Sequence, residues 1–205
     1  MAPTLLSEQR VAQVEQVLRS IAPARPRVPL RLLVRNSPRL GANALALPDA
    51  TIMVTDAMIL HIVGKEDGFD ERQQAQLAGV LAHEIGHIEA RHSVRTMAPS
   101  SLTAAASAAL FGDFSAVAAG LPALLMNMRY SRDMETEADG YAIALLNNNG
   151  IATAPLADLF DSLEKRDADD PAHRLPRWMA DSIAYMASHP ASHERGERLR
   201  KGARP

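Results

Sequence analysis

The stretch His83-Glu84-Ile85-Gly86-His87 decides how this chain is read. It lies inside a strongly helical segment, and residues four apart on a helix sit one turn above each other on the same face. Both imidazoles can therefore reach one metal ion. Glu84 sits about 100° round the helix from His83, near enough to touch a metal-bound water without ligating the metal. Metal-assisted hydrolysis of a peptide bond uses that division of labour. Because H-E-x-x-H also occurs in unrelated helices, the rest of the chain must supply a third ligand, a substrate edge and an oxyanion partner.

One known third ligand, in the pattern H-E-x-x-H-x-x-G-x-x-H, needs glycine at position 90 and histidine at 93. The chain has Ala90 and Ser93, and His92 is one residue out of register. A glutamate from a later helix is the other common solution. Ser131-Arg132-Asp133-Met134-Glu135-Thr136-Glu137-Ala138-Asp139 offers Glu135 and Asp139 on one helical face, with Glu137 pointing roughly the other way. A carboxylate one turn beyond a ligand can accept the free N–H of a metal-bound histidine. That favours Glu135 as ligand and Asp139 as its neighbour's orienter. A solvated acidic helix face explains the same residues, and from spacing alone both readings stand.

Working outward, Asp70 with Gln73 resembles a capping box and predicts a helix from Glu71 to about His92, with Leu77, Leu81, Ile85 and Ile88 as its apolar stripe. Upstream, Leu6 to Ile21 reads as an amphipathic helix ended by Pro23, Pro26 and Pro29. Leu30 to Arg35 reads as a strand, and Ala44–Leu47 and Thr51–Thr55 as a hairpin turning at Pro48-Asp49-Ala50. Asp56 is placed to cap a short helix ending near Gly64. Downstream, helices are expected over Tyr130–Asn147, from Thr153 to about Lys165 and over Trp178–Ala187. Arg166 to Pro176 reads as a polar loop, and a short basic helix closes the chain. The outline is a single, mostly helical α+β domain with one small sheet. Residues 1–29 form an N-terminal helix and Pro-rich linker, residues 30–200 the core, and 101–128 an apolar, Ala-rich helical insertion.

The 205 residues suffice to bury a real core. A formal charge of −2 and the lack of a basic tract argue against nucleic acid as a partner. With no cysteine, a thiolate zinc site is excluded, and any metal rests on His and carboxylate. Met1 to Arg10 has no apolar signal core, so either the chain is cytosolic or a targeting segment lies outside this sequence. Gly112, Asp113, Gly120 and Pro122 interrupt 101–128, leaving pieces shorter than the roughly 20 residues a spanning helix needs. Two helices packed on the domain or lying on a membrane surface fit that segment better. His61, His173 and His193 have no partner at metal spacing, and His92 reads as packing or a cap rather than a ligand.

H-E-I-G-H-I-E-A-R-H over 83–92, with S-R-D-M-E-T-E-A-D over 131–139, resembles the M48 family of zinc metallopeptidases, which are gluzincins. Two further blocks match in order. Asn43-Ala44-Leu45-Ala46-Leu47-Pro48 followed by Ile52-Met53-Val54-Thr55 resembles the family's N-A-F-A-L-P-G-G strand pair, with Leu45 for Phe and Asp49-Ala50 for the two glycines. Ser188-His189-Pro190 with Arg195 resembles its H-P-x-x-x-x-R signature.

The resemblance implies a zincin-like fold with a small antiparallel edge sheet and one zinc per chain held by His83, His87 and Glu135. Asp139 orients a ligand, and Glu84 is the general base. It also implies that His189 donates to the oxyanion and that Arg195 orients or supplements it. Asn43 and Ala44 lie on an edge strand able to pair with an extended polypeptide. The implied activity is endopeptidase action on unfolded or misfolded protein. A polypeptide-binding adaptor with latent proteolysis is the alternative. The implied location is the bacterial envelope, periplasmic or membrane-associated through 101–128. The oligomeric state is not legible.

Overall fold

A computed structural model describes residues 1–64, 68–97, 130–169, 189 and 193–202. The Ala-rich stretch 101–128, the helix expected at 178–187, His173, and residues 188 and 190 lie outside the described residues.

Ser7 opens α1 (Glu8–Ile21), its hydroxyl accepting from the Arg10 amide at 3.2 Å. The helix buries Val14, Val17, Leu18 and Ile21. Among the described residues, four strands form one sheet in the order β1 (Ala2–Pro3), β2 (Arg31–Asn36), β4 (Thr51–Thr55) and β3 (Ala44–Ala46). The hairpin of β3 and β4 is antiparallel as expected, with Leu45 opposite Met53. The sheet as a whole is mixed rather than antiparallel, because β4 pairs parallel to β2, Leu33 opposite Met53. Parallel neighbours need a crossover. Residues 37–50 make it: a 3-10 turn at Pro38–Leu40 and Gly41, at φ 57°, carry the chain past the place of β4, and the hairpin then inserts β4 in the middle. Every residue of β4 is buried. Ile52 and Val54 enter the main core, while Met53 packs with Leu40, Leu45 and Leu33 on the opposite face.

Thr55, not Asp56, caps α2 (Asp56–Val63), accepting from the Met58 amide at 3.2 Å. The Asp56 carboxylate instead takes the Thr4 hydroxyl at 2.6 Å and the Leu5 amide at 2.8 Å, tying the N-terminal strand down. The capping box of α3 (Glu71–Glu89) forms as read, Gln73 N to Asp70 Oδ1 at 2.7 Å and Asp70 N to Gln73 Oε1 at 2.9 Å. Leu77, Leu81 and Ile85 are fully buried, each contributing roughly 1.5–3 kcal/mol, and Ile88 is partly so. The helix stops three residues before His92. Ala90 caps it, Arg91 turns left-handed at φ 55°, and helix resumes over 92–97.

Ser131 caps α4 (Arg132–Asn148), which lies along α3. The two approach through Gly86, where a Cβ would fall 2.8 Å from the Ala138 carbonyl oxygen. Next, α5 (Ala154–Asp169) crosses α3 at Gly79, with Leu156 against it, and runs through residues 166–169, which the sequence assigned to a loop. The closing helix α6 (His193–Lys201) is held by the Thr153 hydroxyl on the Leu199 carbonyl. One core joins residues from Val14 of α1 to Leu199 of α6, with α3 through its centre. Among the described residues no helix is long and apolar enough to cross a membrane.

Candidate metal centre

Three elements bring the candidate residues together. The buried face of α3 carries His83, Glu84 and His87, all at 0 % exposure. Across the Gly86 contact, α4 presents Glu135 and Asp139, each at 1 %. His189 and α6, with Arg195, cover the remaining side.

His83 Nε2 lies 3.0 Å from His87 Nε2, 3.3 Å from Glu135 Oε2 and 3.3 Å from His189 Nδ1. Glu135 Oε1 lies 3.5 Å from His87 Nε2 and 3.1 Å from His189 Nδ1. Four donors thus face one point. A tetrahedral zinc with ligand atoms about 2.0–2.1 Å away has edges of roughly 3.3–3.4 Å between those atoms. The observed spacings bracket that edge, and the set is nitrogen and carboxylate oxygen without sulfur, so the residues present fit zinc.

Charge is prepared around that point. Burial opposes charge on His83, yet hydrogen bonds to Asp139 and Glu135 outweigh it and raise the pKa to about 9. Burial alone would raise Glu135; His189, His83 and His87 instead hold it well below the ordinary carboxylate range. Asp139, against the same burial, is held at about 2 by His83 and Arg195. Two carboxylates therefore stay ionised in a dry site, the charge a dication balances.

Asp139 Oδ1 stands 3.0 Å from His83 Nδ1, on the side of the ring away from the donor cluster. Glu84 Oε1 is 3.5 Å from His189 Nε2. Arg195 lies against the two carboxylates of α4. Its Nε and Nη2 contact Asp139 at 2.7 and 2.8 Å, and its Nη1 contacts Glu135 at 2.7 Å. Its guanidinium also lies 5.1 Å over the Phe160 ring. His189 Nδ1 stands within the donor cluster, near His83 and Glu135.

Asn43 and Ala44 lie beside the site on the terminal strand of the sheet. The Asn43 backbone is fixed by Thr55, whose hydroxyl accepts from Asn43 N at 2.9 Å and donates to Gly41 O at 2.8 Å. Thr55 N to Asn43 O and Leu47 N to Thr51 O show that odd residues bond β4, so Ala44 and Ala46 turn their backbone groups to the sheet edge. That edge is covered in this conformation: Asn43 to Ala46 are at most 4 % exposed. Ser93 holds one of its groups, donating to Ala46 O at 2.6 Å. With that hydrogen committed, Tyr130 OH donates to Ser93 Oγ at 2.9 Å. Burial, with the charges of Glu84 and Glu135, pushes the Tyr130 phenol up, so it keeps its proton. Its ring stacks on His87 at 3.9 Å.

Sequence reading missed Ser93, Tyr130 and the placement of His92 and Glu137, which meet at 3.1 Å beside His87. Tyr130 carried no motif signal. His92 was placed by extending α3 through it, and the turn at Arg91 breaks that extrapolation.

The chain is similar to several proteases. It is 32% identical over 139 residues to metalloprotease YcaL of Escherichia coli, covering 64% of this chain and 50% of that protein. It is 27% identical over 165 residues to metalloprotease LoiP of the same organism, covering 77% and 57%. With the mitochondrial metalloendopeptidase OMA1 of Schizosaccharomyces pombe it shares 31% identity over 159 residues, covering 75% and 41%. The chain spans about half the length of these curated relatives. The family model for peptidase family M48 matches residues 8–203, and the chain belongs to that family.

Proposed function

We propose that this domain is a zinc-dependent endopeptidase acting on unfolded or misfolded polypeptide. The observation that carries the reading is the convergence of His83, His87 and Glu135 within 3.0–3.5 Å, with Glu84 next to them on α3. His83, His87 and Glu135 would hold one zinc, which supplies Lewis acidity at the scissile carbonyl and a water acidic enough to attack near neutral pH. Glu84 takes the proton of the attacking water and passes it to the leaving nitrogen. Asp139 fixes the His83 ring through Nδ1, and Arg195 fixes Asp139 and Glu135. The polypeptide lies along β3 as an added strand, bonding the Ala44 backbone, with Asn43 anchoring the start of that strand. Such backbone pairing gives loose sequence preference, which suits unfolded chains. An envelope location rests on the family resemblance alone.

The test is a pair of measurements on purified protein. Wild type should hold about one zinc per chain, as a three-ligand catalytic site requires, and should cleave an unstructured protein such as casein until a chelator stops it. Glu84→Gln should keep the zinc and lose the cleavage. Full activity in that variant overturns the mechanism.

A second reading, a polypeptide-binding module with latent proteolysis, is favoured by two observations. His189 Nδ1 stands among the zinc-facing donors, and β3 is buried. A fourth protein donor takes the position that water needs. His189→Ala separates the roles: a rise in cleavage marks His189 as a block, a fall marks it as the oxyanion donor. Binding of unfolded polypeptide without turnover under every condition favours the adaptor.

A further inference from the structure

We propose that His92 and Glu137 form an orienting relay for His87, set in place by the left-handed backbone at Arg91. The inference deepens the metal reading and rests on it. In an unbroken helix His92 would sit about 140° round from His87, off the metal-facing side. Instead α3 ends, Arg91 adopts φ 55°, and a new helical segment starts at His92. His92 Nδ1 arrives 2.8 Å from His87 Nδ1, with ring centroids 4.9 Å apart and planes at 70°. A non-glycine residue held at positive φ needs surroundings that over-determine it, and such residues cluster at functional sites. The imidazole it delivers is fully buried.

The hydrogens along this line have only one arrangement that leaves His87 able to bind metal. Nε2 of His87 faces the donor cluster, so its lone pair must point there and its hydrogen must sit on Nδ1. That N–H donates to His92 Nδ1, which must then be the bare nitrogen of its ring. The His92 hydrogen is therefore on Nε2, where Glu137 Oε2 accepts it at 3.1 Å. Arg95 Nη1 holds the same oxygen at 3.2 Å. Metal-bound histidines regularly give their second N–H to a carboxylate or carbonyl, which fixes the tautomer and makes the ligand more basic. Asp139 does this for His83 directly. His87 reaches its carboxylate through one extra imidazole, and that carboxylate is half-exposed on the outer side of α4. Glu137 is thus a surface lever on a buried metal ligand, and His92 is a positioning residue.

The test uses the full chain and measures zinc affinity by chelator competition, melting of the metal-free protein, and the visible spectrum after cobalt substitution. Glu137→Ala and His92→Phe should each weaken zinc binding by about 10- to 100-fold and shift the cobalt bands. Glu137→Ala, at a half-exposed position, should leave the metal-free melt unchanged. Glu137→Gln keeps an acceptor without the charge and should fall between wild type and Glu137→Ala. Wild-type affinity and an unshifted cobalt spectrum in Glu137→Ala overturn the relay, as does a lower metal-free melt with unchanged affinity. If His92→Phe fails to fold, Glu137→Ala decides alone. Failure of wild type to bind zinc overturns the metal reading itself, a result distinct from failure of the relay.

Discussion

Arg195 grips Asp139 edge-on, Nε to Oδ2 at 2.7 Å and Nη2 to Oδ1 at 2.8 Å, and both side chains are buried. The planar guanidinium matches the carboxylate with two parallel bonds, a fit an ammonium cannot reproduce. Its third contact, to Glu135 Oε2, means that one cation pairs with both carboxylates of α4 beneath the donor cluster. Arg195→Ala would leave two buried anions without it. Removing one partner of a buried pair costs about 3–5 kcal/mol, which for a domain of this size lowers Tm by about 6–20 °C. Metal-free protein should show that loss in a thermal melt, and Arg195→Lys should recover only part of it. An unchanged melt with lost cleavage would instead mark Arg195 as acting at the oxyanion.

Gly86 is required by packing rather than by backbone conformation. Alanine in a helix interior is ordinarily favoured over glycine by about 1 kcal/mol. Here the added methyl meets the Ala138 oxygen at 2.8 Å and its Cα at 2.9 Å, backbone atoms that move only if α4 moves. Gly86→Ala should therefore destabilise by about 1–3 kcal/mol and also weaken zinc binding, because Glu135 rides on the displaced helix. Parallel denaturant and zinc titrations check both parts. A more stable variant with wild-type affinity would show that α3 and α4 have slack.

Metal removal should loosen the domain without unfolding it. The donors remain paired with one another and with Arg195 when no ion holds them. Free zinc at a hundred times its Kd adds about 2.7 kcal/mol to the folded state, or about 5–11 °C in Tm for a domain of this length. A chelator should take away that increment and leave a cooperative transition. Complete loss of structure on chelation would mean that the cluster cannot tolerate its own polar groups unpaired by metal.

What was legible in the sequence follows from how local each cause is. The α3 capping box, the H-E-x-x-H face and the hairpin of β3 and β4 depend on neighbours a few residues apart, and the chain spells them out. The pairing of Glu135 with the histidines was open from spacing and became specific through the ordered family blocks. The parallel partner of β4 was not legible, because it depends on where residues 37–50 carry the chain in space. His92 was misplaced for a related reason. Helical periodicity assumes unbroken helix, and nothing in Ala90-Arg91 announces a left-handed turn, since neither residue is glycine or asparagine. The role of Ser93 depends on the same turn, which puts its hydroxyl on the edge carbonyl of Ala46.

Ala50 records a similar mismatch that can be measured. It turns the hairpin at φ 62°, in the position where the family's strand pair carries glycine. Alanine there brings its Cβ against the following carbonyl, at a cost of about 1–2 kcal/mol. The conformation persists because its backbone is tied on both sides, Ala50 N to Leu47 O at 3.1 Å and Arg31 N to Ala50 O at 3.1 Å. The second of these bonds joins the turn to the start of β2, so relaxing φ would disturb the first step of the parallel β2–β4 pairing. Ala50→Gly should remove the strain, offset in part by the greater freedom of glycine in the unfolded chain, about 0.4–1 kcal/mol. The net gain should be about 0–1.6 kcal/mol, read as a higher denaturant midpoint with an unchanged slope. Ala50→Val adds a β-branched side chain to the same φ and should destabilise. A loss of stability in Ala50→Gly would mean that the buried methyl contributes more than the strain costs.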